Sequence, residues 1–138
     1  MNTYTKQHLR DDIELSYTDN DEIEILISPG FGGGWSTWND DCINLAIDKR
    51  IINYFKKNGT GVDKKNRLSH DQFDDLKYKE FKNQLKEFLE SIGYNNVYTG
   101  GWKDIVIETV KPNCKFRIDE YDGSEELIKY EQDTLWEL

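Results

Sequence analysis

The obvious candidates for nucleophile or base in this 138-residue chain are few: Ser36, Thr37, Cys42, His8 and His70. None stands in a partner pattern. There is no Gly-x-Ser-x-Gly elbow, and no His or Cys spacing suits a metal ion. Four carboxylates, Asp119, Glu120, Asp122 and Glu125, cluster at one predicted turn. Paired carboxylates hold divalent cations or do acid–base work, and a plainly solvated turn has the same composition. The sequence thus designates no catalytic residue or metal ligand and implies no cofactor. A metal-dependent enzyme built on Asp119, Glu120 and Asp122 is the least supported of three functional readings.

The run from Ile27 to Asn39 says more. It holds Gly30, Gly32, Gly33 and Gly34 of ten glycines, and Trp35 and Trp38 of four tryptophans. Glycine backbone loses the most entropy on ordering, so a loop rich in it needs a particular shape. The run lies between a predicted strand and a predicted helix, where backbone N–H groups and a helix start favour phosphate. It departs from the known phosphate motifs. Gly34 is followed by Trp35 rather than by Lys and Ser or Thr, and Gly30-Phe31-Gly32-Gly33-Gly34 falls one residue short of the dinucleotide fingerprint. A nucleotide or other small-ligand site here would set Gly32, Gly33 and Gly34 on phosphates and stack Trp35, Trp38 or Trp102 on a base. Alternatively, Phe31, Trp35, Trp38 and Trp102 bury against a partner protein, or cap an open end of the core where glycines let backbones cross closely.

Charge separates the classes of partner. The formal net charge is −9, which repels nucleic acid and anionic membrane and attracts basic proteins. Residues 11–28 carry seven acids and no Lys or Arg, and the stretch from Asp119 onward carries eight acids and one lysine, whereas 49–67 is basic. The acidic segments are predicted strands and turns, so their polar faces either form one negative surface or are simply solvated. Cys42 and Cys114 form no short-spaced pair and read as free thiols of a reducing compartment. No apolar signal region or long apolar run is present, so the expected location is the cytoplasm.

The elements that must position these residues follow from periodicity. Ile13, Leu15 and Tyr17, then Ile23, Ile25 and Ile27, alternate around Asp19-Asn20-Asp21, predicting an antiparallel hairpin over 12–28. Asn39 or Asp40 is placed to cap a helix over 41–57, with Ile43, Ile47, Ile51, Tyr54 and Phe55 at helical spacing and a stop at Asn58-Gly59. A capping box at Ser69–Gln72 opens a second helix through Phe73, Leu76, Phe81, Leu85, Phe88, Leu89 and Ile92, closed at Gly93. A short strand at 96–99 precedes the loop Gly100-Gly101-Trp102. Strands through Ile105 and Ile107, through Cys114, Phe116 and Ile118, and around 127–130 follow, the last two joined at Asp122-Gly123. The expectation is one α+β domain over 1–138, ordered β-β-α-α-β-β-β, a mainly antiparallel sheet with two helices on one face. Residues 1–10 read as a polar leader and 59–68 as a mobile basic loop.

Two runs together carry a resemblance. Ile25-Leu26-Ile27-Ser28-Pro29-Gly30-Phe31-Gly32-Gly33-Gly34-Trp35-Ser36-Thr37-Trp38-Asn39 and Phe116-Arg117-Ile118-Asp119-Glu120-Tyr121-Asp122-Gly123-Ser124-Glu125 resemble a group of small accessory proteins of bacteriophages and prophages. The segment Tyr94–Gly101 is similar too, so the resemblance spans most of the chain apart from the leader and the basic loop. It implies a mobile-element protein made in the cytoplasm of a Gram-positive-type host. With the acidic charge, the implied role is a non-enzymatic inhibitor of a host defence complex, of the anti-CRISPR or anti-restriction type, that binds a basic protein surface such as a nuclease groove. The alternative is a nucleotide-binding protein that withdraws a signal. The binding residues expected on either reading are Phe31, Gly32, Gly33, Gly34, Trp35, Trp38, Asn39, Trp102, Glu120, Tyr121 and Asp122.

Overall fold

The computed structural model describes residues 3–4, 13–40, 42–58 and 75–130, with backbone alone at 75–78. The elements are β1 (Thr3–Tyr4), β2 (Ile23–Ile27), α1 (Asn44–Ile47), α2 (Lys49–Lys57), α3 (Asp75–Ser91), β3 (Val106–Val110), β4 (Lys115–Tyr121) and β5 (Ser124–Tyr130). Short 3-10 turns occupy Ser36–Trp38 and Trp102–Asp104. The class is α+β and the pairing antiparallel, as the periodicity predicts. The strands divide into two sheets, ordered β1-β4-β5 and β2-β3.

β2 explains the division. Residues paired directly across an antiparallel ladder share a face. Ile23, Ile25 and Ile27, with Val110 and Val106 opposite, pack against Phe116, Ile118 and Leu127 of the larger sheet and against Ala46 and Ile47. On the other face, Leu26 and Ile107 pack with Trp35, Trp102, Ile51, Ile52 and Phe55 of α2, and Phe81, Leu85 and Leu89 of α3. The small sheet is therefore a middle layer between the larger sheet on one side and α2 and α3 on the other, and all five residues of β2 are buried. Its one acid, Glu24, is accommodated by Ser16 Oγ at 2.5 Å and Lys56 Nζ at 2.8 Å.

The first hairpin forms at its turn end alone. Tyr17 bridges Ile23 antiparallel, Thr18 N donates to Glu22 O and Glu24 N to Ser16 O, while β2 takes its full-length partner in β3 and Leu15 bridges Asp48 instead. A strand with both faces in the core takes a partner that continues the middle layer, and the 106–110 run does so. The 41–57 helix is corrected. It breaks at Asp48, whose ψ of 119° is extended and whose carboxylate caps α2 by accepting Arg50 N. Neither Asn39 nor Asp40 caps α1, whose N-cap is Ile43 with no side-chain bond. No strand forms at 96–99, where Asn96 takes a φ of +60°. α3 closes as expected, with Gly93 at φ +100° and Tyr94 N donating to Leu89 O. The leader apart from Thr3 and Tyr4, the capping box, Phe73 and the 59–68 loop lie outside the described residues. Both cysteines are free thiols. Among the described residues no helix is long and apolar enough to cross a membrane.

Candidate functional site

Three connections meet at one end of the molecule: residues 28–39 after β2, residues 98–104 before β3, and the β4–β5 turn. The turn is a two-residue hairpin with Asp122 at φ +51° and Gly123 at φ +87°, both left-handed as such a turn demands. Asp122 O accepts Gly32 N at 2.9 Å, and Ser124 Oγ donates to Pro29 O at 2.7 Å. The backbones cross too closely for side chains. A Cβ on Gly123 would fall 2.4 Å from Gly33 N, and one on Gly101 would fall 2.5 Å from Gly34 O. Gly33, Gly101 and Gly123 are the positions that let three backbones touch.

A buried carboxylate locks the junction. Glu125, first inward-facing residue of β5, is 1% exposed. Its Oε1 accepts Ser28 N at 2.9 Å. Its Oε2 accepts Trp35 N at 2.8 Å, Thr37 N at 3.0 Å and Thr37 Oγ1 at 2.5 Å. Glu125 N in turn donates to Ser28 O at 2.9 Å. The Ser28 hydroxyl lies 3.1 Å from Gly33 O and 3.0 Å from Gly101 O, tying in the third connection. The 28–37 segment presents amides to a carboxylate, that of the chain's own Glu125, but they come from Ser28, Trp35 and Thr37 and not from the expected Gly32, Gly33 and Gly34. The turn reading of the acidic cluster is corrected for this one member. The signal that would have found it is alternation, because Leu127, two residues on, is a core residue and shares Glu125's face.

The predicted aromatic surface splits in two. Trp35 and Trp102 are fully buried. Trp35 donates its Nε1–H to Leu45 O at 2.7 Å and meets Phe55 edge-on, and Trp102 stacks on Phe81 with centroids 4.4 Å apart. Neither offers a ring face to a base, which corrects their assignment as stacking residues. Phe31 and Tyr121 are the opposite, at 72% and 77% exposure. Trp38 is half-exposed, tilted against Tyr98 at 5.3 Å, and its Nε1–H reaches Glu120 Oε2 at 3.1 Å. Asn39 clips two connections together, donating to Trp35 O and Tyr98 O and accepting from Tyr98 N.

Phe31 and Tyr121 flank an open groove of about 1020 Å³ that also carries Glu108, Arg117, Asp119, Glu120 and Glu126. Arg117 lies against Asp119, Nε to Oδ1 at 2.5 Å, and holds that carboxyl below its ordinary range. Glu120 is also held low, first by the Gly123 N–H and then by Trp38. With Arg117 neutralised locally, Glu120 and Glu126 make the groove negative. Asp122 contributes its carbonyl at the turn, and Gly32, Gly33 and Gly34 contribute backbone approach. Among the described residues no group of three or more His, Cys, Asp and Glu is placed to hold a metal ion. Ser36 and Thr37 sit in the junction as structural groups, and His8 and His70 lie outside the described residues.

No family model matches this chain, and no curated protein or solved structure matches it either.

Proposed function

We propose that this protein acts by binding a basic surface of another protein, using the acidic groove and its two exposed rings. The observation that carries the reading is the placement of Phe31 and Tyr121, the two most exposed large apolar side chains among the described residues, beside Glu108, Glu120 and Glu126. Exposed aromatic rings are costly in water and are the residue types that anchor protein interfaces. Surrounding carboxylates favour lysine- and arginine-rich partners and speed their approach. The resemblance to phage and prophage accessory proteins supplies the setting. In it, the partner is the nucleic-acid groove of a host defence nuclease, and the protein is an inhibitor rather than an enzyme.

The test is capture from host extract with the wild-type chain and with Tyr121→Ala and Glu126→Lys as baits, followed by cleavage assays on the captured nuclease. A nuclease retained by the wild type, released above roughly 0.5 M salt as screening predicts, lost by both variants and inhibited in cleavage supports the reading. Equal capture by all three baits, or capture indifferent to salt, overturns it. So does saturable quenching of tryptophan fluorescence by a nucleotide with no protein partner.

A further inference from the structure

We infer that the 28–37 segment is a carboxylate receptor in its own right, filled in cis by Glu125 and able to take a small free monocarboxylate when that side chain is shortened. The receptor is built from donors: Ser28 N, Trp35 N, Thr37 N and Thr37 Oγ1, all aimed at one buried carboxylate. Among the described residues no lysine, arginine or histidine bonds to it. Its negative charge is balanced by backbone dipoles and one hydroxyl, the chemistry of an anion nest rather than of an ion pair.

The frame of this receptor does not depend on the occupant alone. Asp122 O and Gly32 N, Ser28 Oγ with Gly33 O and Gly101 O, and the Trp35 indole on Leu45 O hold the loop by bonds that omit the Glu125 side chain. A receptor held by other contacts keeps its shape when emptied. Truncating Glu125 to alanine removes the γ-methylene and the carboxylate, two carbons and two oxygens, which is the heavy-atom skeleton of acetate. The emptied site leaves two buried N–H groups, of Ser28 and Trp35, and the partly buried one of Thr37 unpaired, an arrangement proteins avoid. Acetate supplies two acceptor oxygens at the spacing of the lost carboxylate, while chloride offers a single centre and fits donors that are divided between two oxygens less well.

The experiment is thermal unfolding of Glu125→Ala, followed by the fluorescence of the buried tryptophans, in sodium acetate and in sodium chloride at equal ionic strength. The expected result is a large drop in Tm in chloride and a saturable recovery in acetate of roughly half the loss, with no acetate effect on the wild type. Butyrate, too long for the space, recovers less. If Glu125→Ala is unfolded in chloride, acetate-dependent recovery of tryptophan burial supports the same inference. A chain that stays unfolded in acetate, or a folded variant indifferent to the choice of anion, overturns it. Glu125→Gln gives an independent reading, because it fills the space, leaves no room for acetate and turns donors onto donors. It is expected to lose stability without acetate recovery, and wild-type stability in this variant also overturns the inference.

Discussion

Two buried carboxylates, Asp48 and Glu125, are each 1% exposed and are solved in opposite ways. Asp48 has a cation. Its oxygens accept Arg50 Nε at 3.1 Å, Arg50 Nη2 at 2.7 Å, Arg50 N at 2.9 Å and the Tyr94 hydroxyl at 2.9 Å. Burial pushes this carboxyl up, and the bonds from Arg50 and Tyr94 outweigh it, so it titrates below its ordinary 3.8. Burial and the Asp48 bond push the Tyr94 hydroxyl well above its ordinary value. Glu125 has only amides and a hydroxyl, drawn from residues about ninety positions away in the chain. The contrast separates two tasks. Asp48 ends one helix segment and starts another, so a nearby side chain suffices. Glu125 joins the first third of the chain to the last, and the donors that reach it are the backbone of the 28–37 segment and the Thr37 hydroxyl.

The contrast is tested first at its strongest point. Truncating Glu125 to alanine leaves the two buried N–H groups of Ser28 and Trp35 unpaired, at about 1–3 kcal/mol each before relaxation, and the partly buried Thr37 N–H besides, so a total loss on the order of 4 kcal/mol is expected in urea unfolding. Gly101→Ala attacks the same junction sterically. Its Cβ would meet Gly34 O at 2.5 Å and Gly33 O at 2.6 Å, both backbone atoms with little room to move. Overpacking of this kind costs about 1–3 kcal/mol. If Gly101→Ala proves neutral, the three connections are not in the contact described.

Asp48 should respond less. Asp48→Ala removes an N-cap worth about 1 kcal/mol and leaves the Tyr94 hydroxyl without its acceptor; a loss of about 2 kcal/mol is expected. pH gives the sharper signature. Because the folded carboxyl titrates below 3.8, its stabilisation is complete above that value and is lost as pH falls through the lower folded value. The stability gap between the wild type and Asp48→Asn, measured by Tm, should therefore narrow as pH drops below about 3.8. A gap unchanged down to pH 2 breaks the account of Arg50 and Tyr94 as the groups that hold the charge.

What the sequence shows of this molecule follows the same division between local and distant causes. The Asp122-Gly123 turn, the Gly93 stop and the alternation through Phe116 and Ile118 are local signals, and the structure has each of them. The break at Asp48 has no glycine or proline to announce it, and the apolar spacing from Ile43 to Phe55 runs straight through. Only the bridge from Leu15 and the bond from Lys49 N to Glu14 O show why the chain opens there. The partner of β2 is equally remote, since the alternating run at 12–18 is the nearer candidate by sequence. At the candidate site, the glycines and aromatic residues mark the right end of the molecule. They do not separate Trp35 and Trp102, which build the core, from Phe31 and Tyr121, which face water. Glycine content reports close backbone contact, and close contact buries some rings while it props others outward.

The smallest expected effect on stability carries the most about function. Phe31→Ala and Tyr121→Ala remove rings that bury little, and surface changes of this kind shift stability by about 0.5 kcal/mol or less. The wild type and these variants should therefore unfold together, while Glu125→Ala and Gly101→Ala unfold early. If the groove binds a basic partner, the order reverses in a binding assay. Anchoring aromatic residues at interface centres each contribute about 2 kcal/mol or more, a loss of roughly thirty-fold in Kd. Charge reversal at Glu126 should act mainly on the association rate and on its salt dependence. A loss of stability in Tyr121→Ala would mean that the ring supports the fold, and its exposure would no longer argue for a partner. A folded Tyr121→Ala with undiminished affinity would move the interface away from this end of the molecule altogether.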